Sequence, residues 1–268
     1  IHDLATKSTF EEVSYLLIHG ELPTAAELSA FDQALREARH LPDGVYDVIR
    51  AVKDGHPMDV LRTGVSFLGN IEPEGDFSNQ ADVADRLLAC LPSMLLYWHH
   101  FHTDGVRIDT VTDDDSIAGH FLHLLHRKPP RELHRKCLDT TLILYAEHEF
   151  NASTFAGRVI TGTLSDMHSA VTGAIGALRG PLHGGANVKV IEMLERIHHG
   201  KLTPEEYVRL AREKNSGVRL MGFGHRVYKN FDPRATMLRN VAGTVLGKLG
   251  IDDPLLEIAR RLEEIALS

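Results

Sequence analysis

Residues 165–187 read SDMHSAVTGAIGALRGPLHGGAN and contain a helix, a helix stop and a glycine-flanked turn. The apolar and small residues of 165–179 predict a helix, in which Gly173 and Gly176 form a small face suited to close packing. The pair Gly180-Pro181 ends that helix. The stretch therefore predicts two helices joined by a short turn, with His183 held on the turn between them.

The same start and stop signals recur along the chain and predict an all-α fold. Helical patterns cover residues 82–97 and 133–151, and Pro92 is expected to bend the first of them. Residues 106–111 are the one stretch that resembles a short hairpin arm. Two pairs have the spacing of capping boxes, and two Asp-Pro pairs mark helix starts: Ser8 with Glu11, Thr24 with Glu27, Asp232-Pro233 and Asp253-Pro254.

Composition bounds the size of the core and excludes several classes of protein. The chain has 268 residues, of which 43% are hydrophobic, enough for one large core or two smaller ones. No apolar run is long enough for a membrane helix, and no signal peptide is visible. Cys90 and Cys137 lie far apart, which is typical of reduced thiols and a cytoplasmic location. The net charge of −8 argues against nucleic-acid binding.

Several partial motifs do not complete a known site. Gly222-Phe223-Gly224 begins like a dinucleotide-binding fingerprint, but Val227 stands where the third glycine belongs. His148-Glu149 begins like a zinc-protease motif, but Ala152 replaces its second histidine. No metal site is therefore predicted from these stretches.

The chain has 17 histidines, so each one needs separate evidence. His120, His123 and His126 have helical spacing that allows metal binding, although an amphipathic helix surface is the favoured interpretation. The aspartates at 113–115 are interpreted as a helix N-cap cluster rather than a metal site. Five further histidines are expected to be solvated: His99, His100, His102, His198 and His199.

Three stretches carry chemistry-bearing residues at turns and helix ends. His183 lies on its glycine turn, either exposed to a ligand or bonded to a helix end. Residues 219–234 place His225 after two glycines and Arg234 in a helix first turn, where an anion is favoured; the alternative is a basic loop that pairs with surface acids. Residues 147–154 place His148 and small polar groups at the end of an apolar helix.

Together these stretches resemble the citrate synthase family. The matching segments are GPLHGGAN at 180–187, MGFGHRVYKNFDPRA at 221–235 and HEFNAST at 148–154. The resemblance covers the rest of the chain as well. It implies an all-α protein with a large helical domain over 1–183 and a smaller helical domain over 184–268. The active site would lie in the cleft between them, and both domains would be incomplete.

The resemblance also implies the reaction and its residues. The family joins the α-carbon of an acyl-CoA to the keto group of oxaloacetate and then hydrolyses the thioester. His183 resembles the donor to the forming enolate oxygen, and His225 the donor that polarises the oxaloacetate carbonyl. The remaining assignments are oxaloacetate ligands at His148, Asn151 and Arg234, and a CoA-binding loop at Arg219, Leu220, Met221, Gly222 and Gly224.

The resemblance implies no metal or redox cofactor, because the CoA thioester is itself a substrate. The expected partners are oxaloacetate, acetyl-CoA or propionyl-CoA, and a second copy of the chain in a homodimer or higher homo-oligomer. Helix faces with small residues, at Gly173 and Gly176, are candidates for packing against that copy.

The chain departs from the family pattern after His225. The family's general base is an aspartate in an aromatic-rich stretch, and Asp232, Asp252 and Asp253 do not match it. The chain is therefore expected to be a piece of a longer enzyme. Two alternatives stay open: an incomplete helical fragment that only binds CoA, oxaloacetate or another subunit, and a metal-binding helical protein.

Different stretches favour different acyl groups. Residues 56–66, 95–102, 113–126 and 145–155 resemble 2-methylcitrate synthases, which use propionyl-CoA. Residues 219–239 resemble hexameric-type bacterial citrate synthases, which use acetyl-CoA. More of the chain favours 2-methylcitrate synthase, and one methyl group, worth ~1–3 kcal/mol in a pocket, leaves room for use of both substrates.

Overall fold

The chain folds entirely into α-helices and their connections wherever its structure is described. The computed structural model describes residues 2–200, 202–224, 228, 232–250 and 252–267, and these ranges contain no β-strand. The predicted all-α class is confirmed. The chain divides into two compact units, Ile1–Arg179 and Gly180–Ser268. Within the described ranges, no helix combines the length and apolar character needed to cross a membrane.

The first unit holds ten described α-helices: α1 (His2–Lys7), α2 (Phe10–His19), α3 (Ala25–Glu37), α4 (Asp43–Ala51), α5 (Pro57–Ile71), α6 (Gln80–Asp104), α7 (Ile117–His126), α8 (Glu132–Tyr145), α9 (Ala152–Thr161) and α10 (Met167–Arg179). One 3₁₀ turn, Phe77–Asn79, precedes α6. The core of the unit forms where α4, α5 and α6 meet.

Buried side chains at helical spacing explain that core. Val45 and Ile49 of α4, Val65 of α5, and Cys90 and Met94 of α6 are all completely buried and belong to one cluster. Apolar burial of this kind stabilises by roughly 25 cal/mol per Å² removed from water. α6 runs longer than the predicted 82–97, and it ends only at Gly105, whose left-handed conformation caps the helix.

The second unit is smaller, and its described helices are α11 (Ala186–His199), α12 (Pro204–Arg212), α13 (Pro233–Leu249) and α14 (Pro254–Leu267). Its core is built by α11, α12 and α14. Leu194 and Ile197 of α11 pack with Tyr207 and Val208 of α12 and with Leu262 of α14. The spacing of three between Leu194 and Ile197 places both on one face of α11, as expected for a helix that presents one face to a core.

The first predicted capping box is wrong by one residue. Thr9, not Ser8, caps α2: its side chain accepts from the Glu12 N–H at 3.2 Å, and its own N–H donates to Glu12 at 2.7 Å. The sequence satisfies the motif in two registers, and Glu11 is used elsewhere. The box at Thr24 and Glu27 is confirmed. Asp232 and Asp253 also accept from helix-start N–H groups, as predicted.

The predicted single helix over 133–151 is wrong, because α8 ends at Tyr145. The side chain of Asn151 caps the next helix, α9, by accepting from the N–H groups of Ser153 and Thr154 at 2.9 and 3.1 Å. Between them Glu149 has a φ of +50°, a left-handed conformation that no helix continues through. An N-cap asparagine inside an apolar run thus separates two helices.

The predicted hairpin arm over 106–111 is also absent from the described backbone. The segment that follows it is held by Arg39, which is 1% exposed and donates to the carbonyls of Thr112, Asp114 and Ser116 at 3.2, 2.7 and 3.2 Å. A guanidinium therefore satisfies the carbonyl groups of this irregular segment. Ser116, rather than the aspartates at 113–115, is the N-cap of α7.

Two histidines expected at the surface are buried. His120 is completely buried, with Nε2 3.1 Å from Ser93 Oγ and Nδ1 3.0 Å from Thr112 Oγ1. Burial lowers the pKa of His120 to about 3, so the ring is neutral. His100 is also buried, with Nε2 2.9 Å from the carbonyl of Leu124. Hydrogen-bonded partners make both histidines acceptable in the core, which residue spacing alone does not reveal.

Glu11 gives unit 1 a pH-dependent stability that can be measured. Its carboxylate accepts from the N–H of Ile117, yet burial raises its pKa from 4.5 to about 7. Between those values the folded chain binds more protons than the unfolded chain, so the free energy of unfolding falls as pH rises from about 4.5 to 7. Glu11→Gln keeps an acceptor for Ile117 and should remove this fall, raising stability at pH 8 by about 1–3 kcal/mol.

Urea denaturation at pH 5 and pH 8 checks this expectation. Glu21→Gln changes an exposed glutamate just beyond α2 and serves as the control, with no change in the pH profile. A Glu11→Gln profile parallel to the original would contradict the assignment of the effect to Glu11.

Candidate active site

The His183 turn is built from backbone hydrogen bonds and glycines. The N–H groups of His183 and Gly184 both donate to the carbonyl of Gly180 at 3.0 Å. A Cβ on Gly185 would lie 2.5 Å from the carbonyl oxygen of Pro181, so only glycine fits this position without movement. His183 is partly buried while the adjacent Leu182 is fully exposed. The predicted turn between two helices is thus confirmed, and α11 starts directly after it.

The loop of residues 219–224 is anchored to the core of the second unit at its first half. The carbonyl of Arg219 accepts from the Tyr207 hydroxyl at 3.4 Å, and the Met221 N–H approaches Met193 Sδ at 3.3 Å. Leu220 and Met221 pack against the buried cluster of that unit. The side chains of Leu220 and Met221 therefore face inward and hold the backbone of the loop in place.

Two glycines keep the second half of the loop open. Gly222 and Gly224 have φ angles of +87° and +77°, the left-handed region that glycine adopts without strain. A Cβ on Gly222 would lie 3.2 Å from Val190 of α11, so the loop also approaches that helix closely. Because Gly222, Phe223 and Gly224 are exposed, their peptide groups are accessible to a ligand.

Arg234 is held rigidly by its neighbour Asp232, a pairing that sequence reasoning missed. Nε of Arg234 donates to both carboxylate oxygens at 3.0 and 3.1 Å, and Nη2 donates to Oδ2 at 2.6 Å. The guanidinium carbon also lies 5.6 Å from the ring centre of Tyr228. Asp232 therefore caps α13 and orients Arg234 at once, and the only sequence signal for it is their spacing of two residues.

His148 and Asn151 belong to the first unit, in the link between α8 and α9. His148 is partly buried in residues 146–151. Asn151 caps α9 through its side-chain oxygen, and its Nδ2 donates to Thr154 Oγ1 at 3.1 Å. The cap fixes where the link ends and so positions His148 three residues before it.

The second unit brings two of the predicted elements to the same helix, while His225 lies outside the described residues. The loop over 219–224 contacts α11 at Val190 and Met193, and the His183 turn leads into the same helix. Asp232 and Asp253 act as helix caps. Across the described part of the chain, no group of three or more His, Cys, Asp or Glu side chains is arranged to hold a metal ion.

Comparison with known proteins extends over the whole chain. The family model described as "Citrate synthase, C-terminal domain" matches residues 1–268. The 2-methylcitrate synthase of Shewanella oneidensis is 50% identical over 266 residues, which are 99% of this chain and 70% of that protein. The citrate synthase of Haloferax volcanii is 42% identical, over 98% of this chain and 71% of that protein.

Solved structures agree with these sequence matches. Citrate synthase from Pyrobaculum aerophilum superposes with a TM-score of 0.88 at 34% identity, covering 100% of this chain and 69% of that one. A ternary complex of carboxymethyl coenzyme A and oxaloacetate with citrate synthase from Thermoplasma acidophilum gives 0.87 at 31% identity, covering 99% and 70%. The chain belongs to the citrate synthase family of condensing acyltransferases.

Proposed function

We propose that the enzyme containing this chain condenses an acyl-CoA with oxaloacetate and that the His183 turn is the centre of its site. The observation that carries this assignment is the packing of loop 219–224 against α11, the helix that begins at the His183 turn. A glycine loop with exposed peptide groups thus lies on the same helix as an imidazole on a fixed turn. A relative of the same fold binds a CoA analogue and oxaloacetate together, which supports the same pair of ligands here.

The chemistry explains why imidazoles are needed. The α-proton of a thioester is weakly acidic, so its removal needs a base together with a hydrogen bond to the enolate oxygen that forms. His183 is assigned as that donor. His225 is assigned as the donor that polarises the keto group of oxaloacetate for attack by the enolate carbon.

Oxaloacetate carries two carboxylates, and the positive charge of Arg234 is proposed to bind one of them. Arg234 supplies a guanidinium whose orientation is set by Asp232, and a fixed guanidinium loses little entropy when a second carboxylate binds. His148 and Asn151 are also proposed as oxaloacetate ligands. Arg219, Leu220, Met221, Gly222 and Gly224 are proposed to hold the CoA adenine through their backbone groups.

The acyl group is proposed to be propionyl, with acetyl as a second substrate. The identity of 50% to a 2-methylcitrate synthase, against 42% to a citrate synthase, supports this order. One methyl group is worth about 1–3 kcal/mol, so kcat/KM for propionyl-CoA should exceed that for acetyl-CoA by roughly 10-fold or more. Thiol release measured with each thioester and saturating oxaloacetate tests this order. A higher kcat/KM for acetyl-CoA would identify a citrate synthase instead.

We also propose a homodimer, with α9 at the interface. Gly173 and Gly176, whose small faces were expected to pack against a second copy, lie against residues of the first unit instead. A Cβ on Gly173 would lie 2.2 Å from Ile160 of α9, and one on Gly176 would lie 3.7 Å from Arg62. In contrast, α9 has no buried residue, and Phe155 and Val159 are 64% and 55% exposed one turn apart. An apolar face of this kind is typical of an interface.

Replacing Phe155 with aspartate should shift the protein from dimer to monomer in light scattering after size-exclusion chromatography. Leu22→Asp, at an apolar residue of similar exposure between α2 and α3, is the matched control and should leave the dimer intact. A Phe155→Asp protein that stays dimeric would place the interface elsewhere.

No cofactor beyond the two substrates is proposed, since the thioester supplies the activated carbon. A cytoplasmic location is proposed from the two free thiols, Cys90 and Cys137, which a reducing compartment maintains.

A further inference from the structure

His168, in the first turn of α10, has an imidazole that is closed off from solvent. The residue is 3% exposed, and both ring nitrogens are buried without a hydrogen-bond partner among the described residues. A carboxylate oxygen of Asp166 lies 3.8 Å from Nδ1, too far for a hydrogen bond. Buried polar atoms are almost always paired, so this ring is an exception within the first unit.

Packing and two helix-start hydrogen bonds hold the ring in this position. Gly69 of α5 lies directly against it, because a Cβ there would lie 2.6 Å from His168 Cβ and 2.9 Å from Cγ. Glu74 Oε2 accepts from the Met167 N–H at 2.6 Å, and Asp166 Oδ1 accepts from the Ser169 N–H at 2.9 Å. The ring therefore stays buried as long as the first turn of α10 keeps these contacts.

Charged groups lie beside the ring without bonding to it. Besides Asp166, the link after α5 and the first half of α6 supply four of them: Glu72, Glu74, Asp82 and Arg86. Arg86 donates to Glu72 at 2.8 and 3.0 Å, so these two charges largely compensate each other. Burial lowers the pKa of His168, and the nearby carboxylates oppose this only in part. The buried ring is therefore neutral at neutral pH.

We propose that the start of α10, residues 166–169, is a pH-sensitive switch that opens when His168 binds a proton. The closed position excludes the protonated ring, because its two N–H groups would have neither water nor an acceptor among the described residues. When the first turn of α10 moves away from Gly69, the same ring reaches water and is protonated like an ordinary histidine. Protonation is thus coupled to opening.

The direction and size of the pH effect follow from these two states. The open ring has the ordinary histidine pKa of about 6.5, whereas burial lowers the pKa of the closed ring. Opening is therefore favoured as pH falls below about 6.5. Between pH 7.5 and pH 5.5 the opening constant rises at most about 10-fold, the limit for a ring that stays neutral when closed. Glu11 affects the whole unit in the opposite direction, so the measurement must be local.

Hydrogen exchange at the amide groups of Met167 and Ser169 measures this opening, because both N–H groups are bonded in the closed state. Their protection, corrected for the intrinsic exchange rate at each pH, should fall several-fold between pH 7.5 and pH 5.5. His168→Phe keeps an aromatic ring that cannot be protonated, so its protection should not fall. His168→Gln is a second uncharged variant with a smaller side chain and should behave in the same way.

His126→Phe, at an exposed histidine in the last turn of α7, is the matched control and should keep the full pH response. A fall in the original protein and in the control, but in neither His168 variant, supports the switch. Protection that does not fall in the original protein, or that falls equally in the His168 variants, would overturn it.

Discussion

Replacing His183 with alanine is expected to lower the turnover number for condensation by ~10²–10³, the typical cost of one transition-state hydrogen-bond donor. The helical circular dichroism spectrum should be unchanged, because the backbone N–H groups of His183 and Gly184 still donate to the Gly180 carbonyl after the substitution. The KM for oxaloacetate should change much less than kcat, since the donor acts on the enolate that forms from the thioester. Thiol release at saturating substrates measures the effect.

His199→Ala, at an exposed histidine in the last turn of α11, is the matched control and should retain full turnover. Gly185→Ala is a second test variant that keeps the imidazole. Its Cβ would lie 2.5 Å from the carbonyl oxygen of Pro181, so the turn must move and kcat should also fall. A His183→Ala protein with normal turnover, or one that loses its helical spectrum, would contradict the assignment of His183.

Replacing Arg39 with methionine is expected to lower the free energy of unfolding by about 3–5 kcal/mol. The substitution keeps much of the apolar stem but leaves three carbonyls without their donor, those of Thr112 and Asp114 at partly buried positions and that of Ser116 at a buried one. Each buried group left unpaired costs about 1–3 kcal/mol. Burial lowers the pKa of Arg39, because the charged guanidinium loses its contact with water.

Urea denaturation followed by circular dichroism measures the change. Arg36→Met, at an exposed arginine one turn earlier in α3, is the matched control and should change stability by less than about 0.5 kcal/mol. If Arg39→Met costs no more than this control, the guanidinium does not hold the 112–116 segment.

Local signals predicted much of the helical architecture, and tertiary contacts explain the errors. The Asp-Pro starts and the Thr24 capping box depend only on neighbours three residues away, so the sequence displays them. A capping box that starts at Ser8 would use Glu11, whereas the one that starts at Thr9 uses Glu12. Glu11 instead accepts from the N–H of Ile117, 106 residues further on, so a tertiary contact decides between the two boxes. Periodicity likewise does not show that His120 finds Ser93 and Thr112 inside the core.

In the candidate site, too, local features could be predicted from the sequence and contacts between side chains could not. The glycines around His183 predicted its turn, because a sharp turn next to a helix stop is a local property. The orientation of Arg234 by Asp232 involves two residues that sequence reasoning had given separate roles. The roles of His183, His225, His148, Asn151 and Arg234 in catalysis and binding stay predictions, supported by the family to which the chain belongs.

The most direct test of the condensing function is whether thiol release from the acyl-CoA depends on oxaloacetate. The enzyme should release CoA from propionyl-CoA only when oxaloacetate is present, with one 2-methylcitrate formed for each thiol. Release at the same rate without oxaloacetate, or thiol without the condensation product, would show a simple thioesterase and contradict the account.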